Sequence, residues 1–226
     1  NIKPEELVAL IRELNSYEHH ILYYGSMNSA ELAISLNVNH TTPNKLKPVP
    51  TAIVFDEQPI SANNVFAINY DMKQVEIILL SKGGTYDKTL TPTISLFNEY
   101  FGGNMSGIVF QDLRESKALA YSCYSAYRTP NTKEKSYYSL SYIGAQADKL
   151  PEAIAGMSNL LNNMPTAELT LSNATQSLIQ GLRTERITKS DILFNFERAR
   201  KMGVDYDLRK DIFTKAQAMT MADVKA

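Results

Sequence analysis

Two residues in the stretch QDLRESKALAYSCYSAY, residues 111–127, have the types and the spacing to do chemistry together. Arg114 stands at the end of a short amphipathic segment, and seven residues later Tyr121 opens a segment that alternates like a strand. A guanidinium is a permanent cation with a fork of N–H donors, and a phenol can donate or accept. Arg114 follows Leu113 directly, so it emerges beside the apolar stripe of its helix, near the start of the next strand. Brought to one helix–strand corner, the two would form a donor pair suited to a carbonyl oxygen, as peptide binding or oxyanion stabilisation requires. Tyrosines also suit strands on packing grounds alone, so spacing by itself leaves a purely structural reading open.

Other chemistries lack their parts. The three histidines are His19, His20 and His40, and the sequence contains neither H-E-x-x-H nor H-x-x-E-H. Neighbouring side chains on a strand point to opposite faces, so His19 and His20 cannot converge on one ion there. They read instead as a partly exposed pair at the entry of a strand. The single cysteine, Cys123, can form neither an internal disulfide nor a cysteine-based zinc site. Its mid-strand position predicts a buried, inert thiol. No G-x-S-x-G elbow occurs, and FGGNMSG (101–107) lacks both the P-loop lysine and the dinucleotide glycine pattern. No catalytic residue and no metal ligand is assigned within this chain.

The elements that must position Arg114 and Tyr121 follow from periodicity. Residues 4–16 place Leu7, Leu10, Ile11 and Leu14 on one helical face behind an N-terminal Pro. HHILYYG (19–25) predicts a buried strand, NSAELAISLN a helix, and 39–64, with four prolines, a long irregular connection. FAINYDM and QVEIILLSKGG predict two adjacent strands joined as a hairpin, the second ending at Gly83 and Gly84. TPTISLFNEYFGG predicts a helix closed by Gly102 and Gly103, and Met105, Ile108, Val109 and Leu113 restart helical spacing. Residues 120–128 and 136–144 alternate around the loop TPNTKEK, a second hairpin. It is rich in tyrosine: six of the thirteen fall between 121 and 142. From Lys149 onward the pattern is helical, with breaks near Pro165, Thr188 and Gly203, and Thr188 with Asp191 resembles a capping box. Hairpins followed by blocks of helices predict an α+β fold. Its antiparallel or mixed β-sheet would have helices packed on one face, followed by a helical C-terminal segment.

Composition narrows the partners. The 226 residues, 44% of them hydrophobic, suffice for one sizeable domain. With 23 basic against 24 acidic residues and no basic run, no nucleic-acid or anionic-membrane surface is expected. No segment offers the roughly 18 consecutive apolar residues of a membrane span. The first residues are acidic and helical and lack an initiator Met, so a piece of a longer chain is expected. Localisation stays open.

LFNEYFGGNMSGIVFQDLRESKALAYSCYSAY (96–127) resembles the signature of the C-terminal-type domain of pitrilysin/insulinase-family zinc metallopeptidases, the inverzincins. Gly102, Gly103, Met105, Ser106, Phe110, Leu113, Arg114, Glu115, Leu119, Ala120, Tyr121 and Ser122 stand in the family's places. A looser likeness covers about 19–165, which sets residues 1–18 apart as a leading helix and 19–226 as the domain. The resemblance implies a metal-free half that closes with a homologous half around a peptide substrate. Zinc, H-x-x-E-H and the general base would lie in that partner half, on the same chain or on a separate subunit. Arg114 and Tyr121 would contact the peptide near the bond to be cut, with Gly102 and Gly103 beside them in the substrate-binding set. A non-catalytic scaffold, or a substrate-presenting subunit of a complex, is the alternative the same resemblance allows.

Overall fold

The structure, a computed structural model, describes residues 2–225. The chain divides into two compact units. One runs to Gln58 and takes in Thr188–Leu193; the other comprises Pro59–Ile187 and the residues from Phe194 onward.

In the first unit, α1 (Pro4–Glu13) begins with proline, whose missing N–H costs a first helical turn nothing. α2 (Ser29–Asn39) is closed by a capping box: Asn28 Oδ1 accepts from the Ala30 and Glu31 amides, and Glu31 returns a bond to the Asn28 amide. The strand expected at 19–25 is absent. An extended run becomes a strand only when its backbone groups find a second ladder. The chain pairs instead just before that run, through an isolated parallel bridge from Tyr17 to Lys47. Glu18 N–H donates to the Lys47 carbonyl at 2.9 Å, and Lys47 N–H donates to that of Ser16 at 2.8 Å. The histidine pair therefore sits on no strand. His19 meets His40, Nε2 to Nε2 at 2.8 Å, rather than standing back to back with His20.

The second unit holds the sheet. β1 (Gln74–Thr85), β2 (Ser122–Arg128) and β3 (Ser136–Gln146) form an antiparallel sheet in the order β1-β3-β2. The 122–146 hairpin is the one periodicity predicts. β1 runs on through Gly83 and Gly84, with a register shift between Lys82 and Thr85, instead of ending at the glycines. FAINYDM, expected to be β1's hairpin partner, forms no strand and lies exposed. Its period is right, but no backbone ladder forms with β1, so this expectation is corrected.

Register decides which residues the helices cover. Ile77, Ile143 and Cys123 form one row across the sheet, and Leu79, Ser141 and Ser125 the next. These rows face α3 (Thr91–Phe101), α4 (Ile108–Phe110) and α5 (Leu150–Asn162), and α6 (Glu168–Thr184) packs against α3. Leu96, Tyr100 and Phe101 of α3, Val109 and Leu113, Ala153 and Met157 of α5, and Leu171 and Ala174 of α6 complete the core. Burying such side chains stabilises by about 1.5–3 kcal/mol each. The hydroxyls of Ser125 and Ser141, both buried, satisfy each other at 2.8 Å. The opposite face carries Ile78, Tyr142 and Tyr124 in one row, the two tyrosine rings stacked with centroids 5.2 Å apart. Helices on one face of an antiparallel sheet are the expected α+β arrangement.

The C-terminal segment is helical: α7 (Lys189–Lys201), α8 (Arg209–Ala216) and α9 (Met221–Lys225). Thr188 and Asp191 do meet ahead of α7, through a hydroxyl-to-carboxylate bond. Gly203, at φ +68°, follows α7 in the left-handed conformation that glycine adopts freely.

Candidate functional site: the corner between Arg114 and Tyr121

The corner is built by an unusual turn. α4 does not continue as an α-helix but widens into a π-helical turn, Gln111–Ser116, in which Lys117 N–H donates to the Asp112 carbonyl five residues back. Such wide turns are rare and are found disproportionately at functional sites. Leu113, fully buried, anchors the turn from below. Its carbonyl accepts the Leu119 amide at 2.8 Å, while Ala118, at φ 50°, takes the left-handed conformation that reverses the chain. The Tyr121 amide then donates to the Gly144 carbonyl at 2.8 Å, which fixes Tyr121 to the end of the sheet.

Arg114 and Tyr121 come together there. The guanidinium carbon of Arg114 lies 5.7 Å from the centroid of the Tyr121 ring and 4.8 Å from that of Phe110. The cation therefore touches two aromatic rings, an attraction of about 0.5–1 kcal/mol per ring at such exposure. Its side chain is 40% exposed, and its ion-pair partner is Glu115, with Nε to Oε1 at 3.7 Å. That pair is too long for a hydrogen bond, so the guanidinium fork remains available. Tyr121 is 71% exposed, and its hydroxyl has no hydrogen-bond partner among the described residues. The corner thus presents a cationic donor and a neutral donor to solvent, held by rings and by backbone.

Gly102 caps the C-terminus of α3, with Gly103 next to it. Both amides donate to the Asn98 carbonyl, at 3.3 and 2.7 Å, closing α3. Gly102 is buried, and a Cβ there would lie 2.6–2.9 Å from the backbone and Cβ of Ser125 on β2. Its small size lets the helix end touch the strand. Gly103 is exposed, and a Cβ on it would lie 2.7 Å from the Asn98 carbonyl oxygen. Neither amide is left to grip a ligand.

Cys123 lies behind the corner, 5% exposed, its thiol directed at the Val109 carbonyl. Burial pushes its pKa up to about 11, with the positive charge of Arg114 pulling the other way. A thiol so protonated at neutral pH is a poor nucleophile.

Two residues that shape this region were given no site role by sequence reasoning. Phe110 stands four positions before Arg114, a helical neighbour that spacing could have named. Asn98 has no such signal: its side chain spans to Tyr127, donating to the carbonyl at 3.0 Å and accepting from the amide at 2.7 Å.

The residues do not fit a zinc ion. Among the described residues no three His, Cys, Asp or Glu side chains are grouped to hold a metal. His19 and His40 supply only two nitrogens. The Nδ1 of His19 is committed to the Tyr17 carbonyl at 2.6 Å, which leaves its Nε2 to accept from His40. Nor is any described helix long and apolar enough to cross a membrane.

Known proteins share this architecture. The peptidase M16 inactive domain from Pseudomonas fluorescens is 19% identical with a TM-score of 0.55, over 69% of this chain and 37% of that one. A conserved protein from Enterococcus faecalis V583 is 18% identical with a TM-score of 0.60, over 88% of this chain and 46% of that one. The periplasmic protease PqqL from Escherichia coli is 15% identical with a TM-score of 0.60, over 88% of this chain and 22% of that one. The chain therefore spans less than half the length of each. A comparison with curated proteins found no match. A family model described as the peptidase M16 inactive domain matches residues 1–172, well over half of the chain. With the α+β fold in place, this chain belongs to the M16, or pitrilysin, peptidase family as its inactive, C-terminal-type domain.

Proposed function

We propose that this domain holds the backbone of a peptide substrate opposite a catalytic M16 half carried elsewhere, through Arg114 and Tyr121. The observation that carries the reading is the corner itself: two solvent-exposed donors of different charge beside a π-helical turn, with the Arg114 guanidinium carbon 5.7 Å from the centroid of the Tyr121 ring. Arg114 orients a substrate carbonyl through its free fork, and the Tyr121 hydroxyl donates to the same oxygen as charge develops on it. Neither residue forms a covalent bond to substrate or transfers a proton in this scheme. In this reading zinc, H-x-x-E-H and the general base belong to the partner half.

The test is Tyr121→Phe in the assembled enzyme. Loss of one such donor costs about 3 kcal/mol of transition-state stabilisation, so kcat should fall roughly 100-fold or more while KM changes little. Small, equal changes in both constants would remove the oxyanion role.

A second reading, a non-catalytic scaffold, is supported by the matched family's description as inactive. In that case Arg114→Ala and Tyr121→Phe together leave peptide cleavage by the assembly unchanged.

A further inference from the structure

We propose that the groove beside α6 and α8 binds the free carboxyl terminus of an extended peptide, with the carboxylate on Arg183 and the preceding peptide groups on Gln180 and Gln176. The groove lies wholly in the second unit and has a volume of about 720 Å³. Arg183 is the one charged side chain among its described lining residues, and half of them are carboxamides: Asn173, Gln176, Gln180 and Gln217. The wall is therefore neutral and rich in hydrogen-bonding groups, with a single cation set in it. Two arginines stand near the C-terminal end of α6, and only one is committed. Arg209 is held by Asp207 and, at 3.4 Å, by Glu185. Arg183 has no ion-pair partner among the described residues. Its guanidinium carbon lies 5.5 Å from the centroid of the Phe213 ring, which steadies the fork without occupying its N–H donors. Gln176 and Gln180 are exposed, and their carboxamides bond to no other described residue, whereas Ser177 beside them is committed to Glu99 Oε1 at 2.6 Å.

Spacing selects the ligand. Gln176, Gln180 and Arg183 stand at i, i+4 and i+7 of α6 and so share one face. Seven residues of helix rise about 10.5 Å, the length of about three residues of extended chain. A carboxamide donates and accepts at once, so it can bracket the N–H and C=O of a chain, as Asn98 does here with Tyr127. A guanidinium takes a carboxylate through two parallel N–H donors. One cation among neutral amides matches the single charge of a carboxylate, whereas a phosphate carries nearly twice that charge. The full charge of Arg183 outweighs the roughly half negative charge of the nearby α6 C-terminus. Ile179, buried in the wall, offers a ligand side chain an apolar contact. The groove shares no residue with the Arg114–Tyr121 corner, so either site can fail without the other.

The experiment titrates the whole chain with acetyl-trialanine, once as the free acid and once as the C-terminal amide, and follows backbone and side-chain N–H signals by NMR. The free acid should shift the Gln176 and Gln180 carboxamide signals saturably, and the capped amide should bind about tenfold or more weakly than that. Arg183→Gln, at an exposed position, should abolish the preference for the acid. Gln180→Glu, which sets a carboxylate on the same face as the guanidinium, should weaken the acid more than the amide. Equal affinity for the two peptides overturns the proposal, as does the absence of a saturable shift at Gln176 and Gln180. Shifts confined to Tyr121 and its neighbours would put the peptide at the corner and overturn it too. Inorganic phosphate that displaces the peptide at lower concentration than acetate does would reveal a general anion site, and would sink the carboxyl-terminus assignment.

Discussion

On the β2 side of the sheet, α3 meets the outermost backbone groups. The Asn98 side chain takes both the amide and the carbonyl of Tyr127, and the Gly102 carbonyl accepts the Ser125 amide at 3.2 Å. At the other edge β1 is the longer strand, laddered to β3 from Gln74 to Thr85 with a register shift after Lys82. One primary amide thus imitates a neighbouring strand at the short edge. The contrast shows how a sheet edge can be finished by a side chain when a helix end comes close enough. It also shows why that helix end carries glycine.

The comparison can be broken most forcefully at Gly102. In Gly102→Ala the new methyl would sit 2.6 Å from the Ser125 carbonyl oxygen, a backbone atom that cannot swing aside. A loss of about 3 kcal/mol is expected in the denaturant midpoint, with an unchanged slope. Asn98→Ala comes next. It leaves two partly buried backbone groups of Tyr127 without partners and should cost about 2 kcal/mol by the same measurement. Asn98→Asp, which keeps the acceptor and loses the donor, should fall between wild type and alanine.

Cys123 on β2 sharpens the comparison through pH. Its folded pKa, about 11, lies above the ordinary value of 9.0 because burial disfavours the thiolate. The folded state therefore holds its proton where the unfolded chain releases it. The thiol's contribution is complete below about pH 9 and is lost as pH rises through about 11. Thermal midpoints measured from pH 8 to 11 should fall more steeply for the wild type than for Cys123→Ala; parallel curves would contradict the burial argument. The smallest effect is expected on β1. Ile78→Lys places a charge on a side chain that is 63% exposed and should change stability by less than about 0.5 kcal/mol.

Local patterning carried much of this fold. The 122–128 and 136–146 hairpin lies within two residues of the alternation that predicts it, and β1 and α3 fall where their apolar periods do. HHILYYG, an apolar run, and FAINYDM, which alternates equally well, are not strands, because a local pattern specifies a face and not a partner. The corner was half legible. Arg114 and Tyr121 were chosen by type and spacing, and the structure brings them together. Phe110 could have been added from helical spacing. The Asn98 bridge lay 29 residues from its partner, beyond the reach of any local signal.

The wide turn at 111–116 has a consequence for how this site could be gained or lost. Its extra residue per turn means that deleting one position ahead of Arg114, at Gln111 or Asp112, would let the segment relax to ordinary α-helical winding. Every side chain downstream would then rotate by roughly 100° about the axis, one residue's share of a 3.6-residue turn. Arg114 would leave Tyr121 without either residue being changed. The corner is thus encoded as much by a count as by an alphabet, and a relative that retains both side chains but is one residue shorter here would have them facing apart.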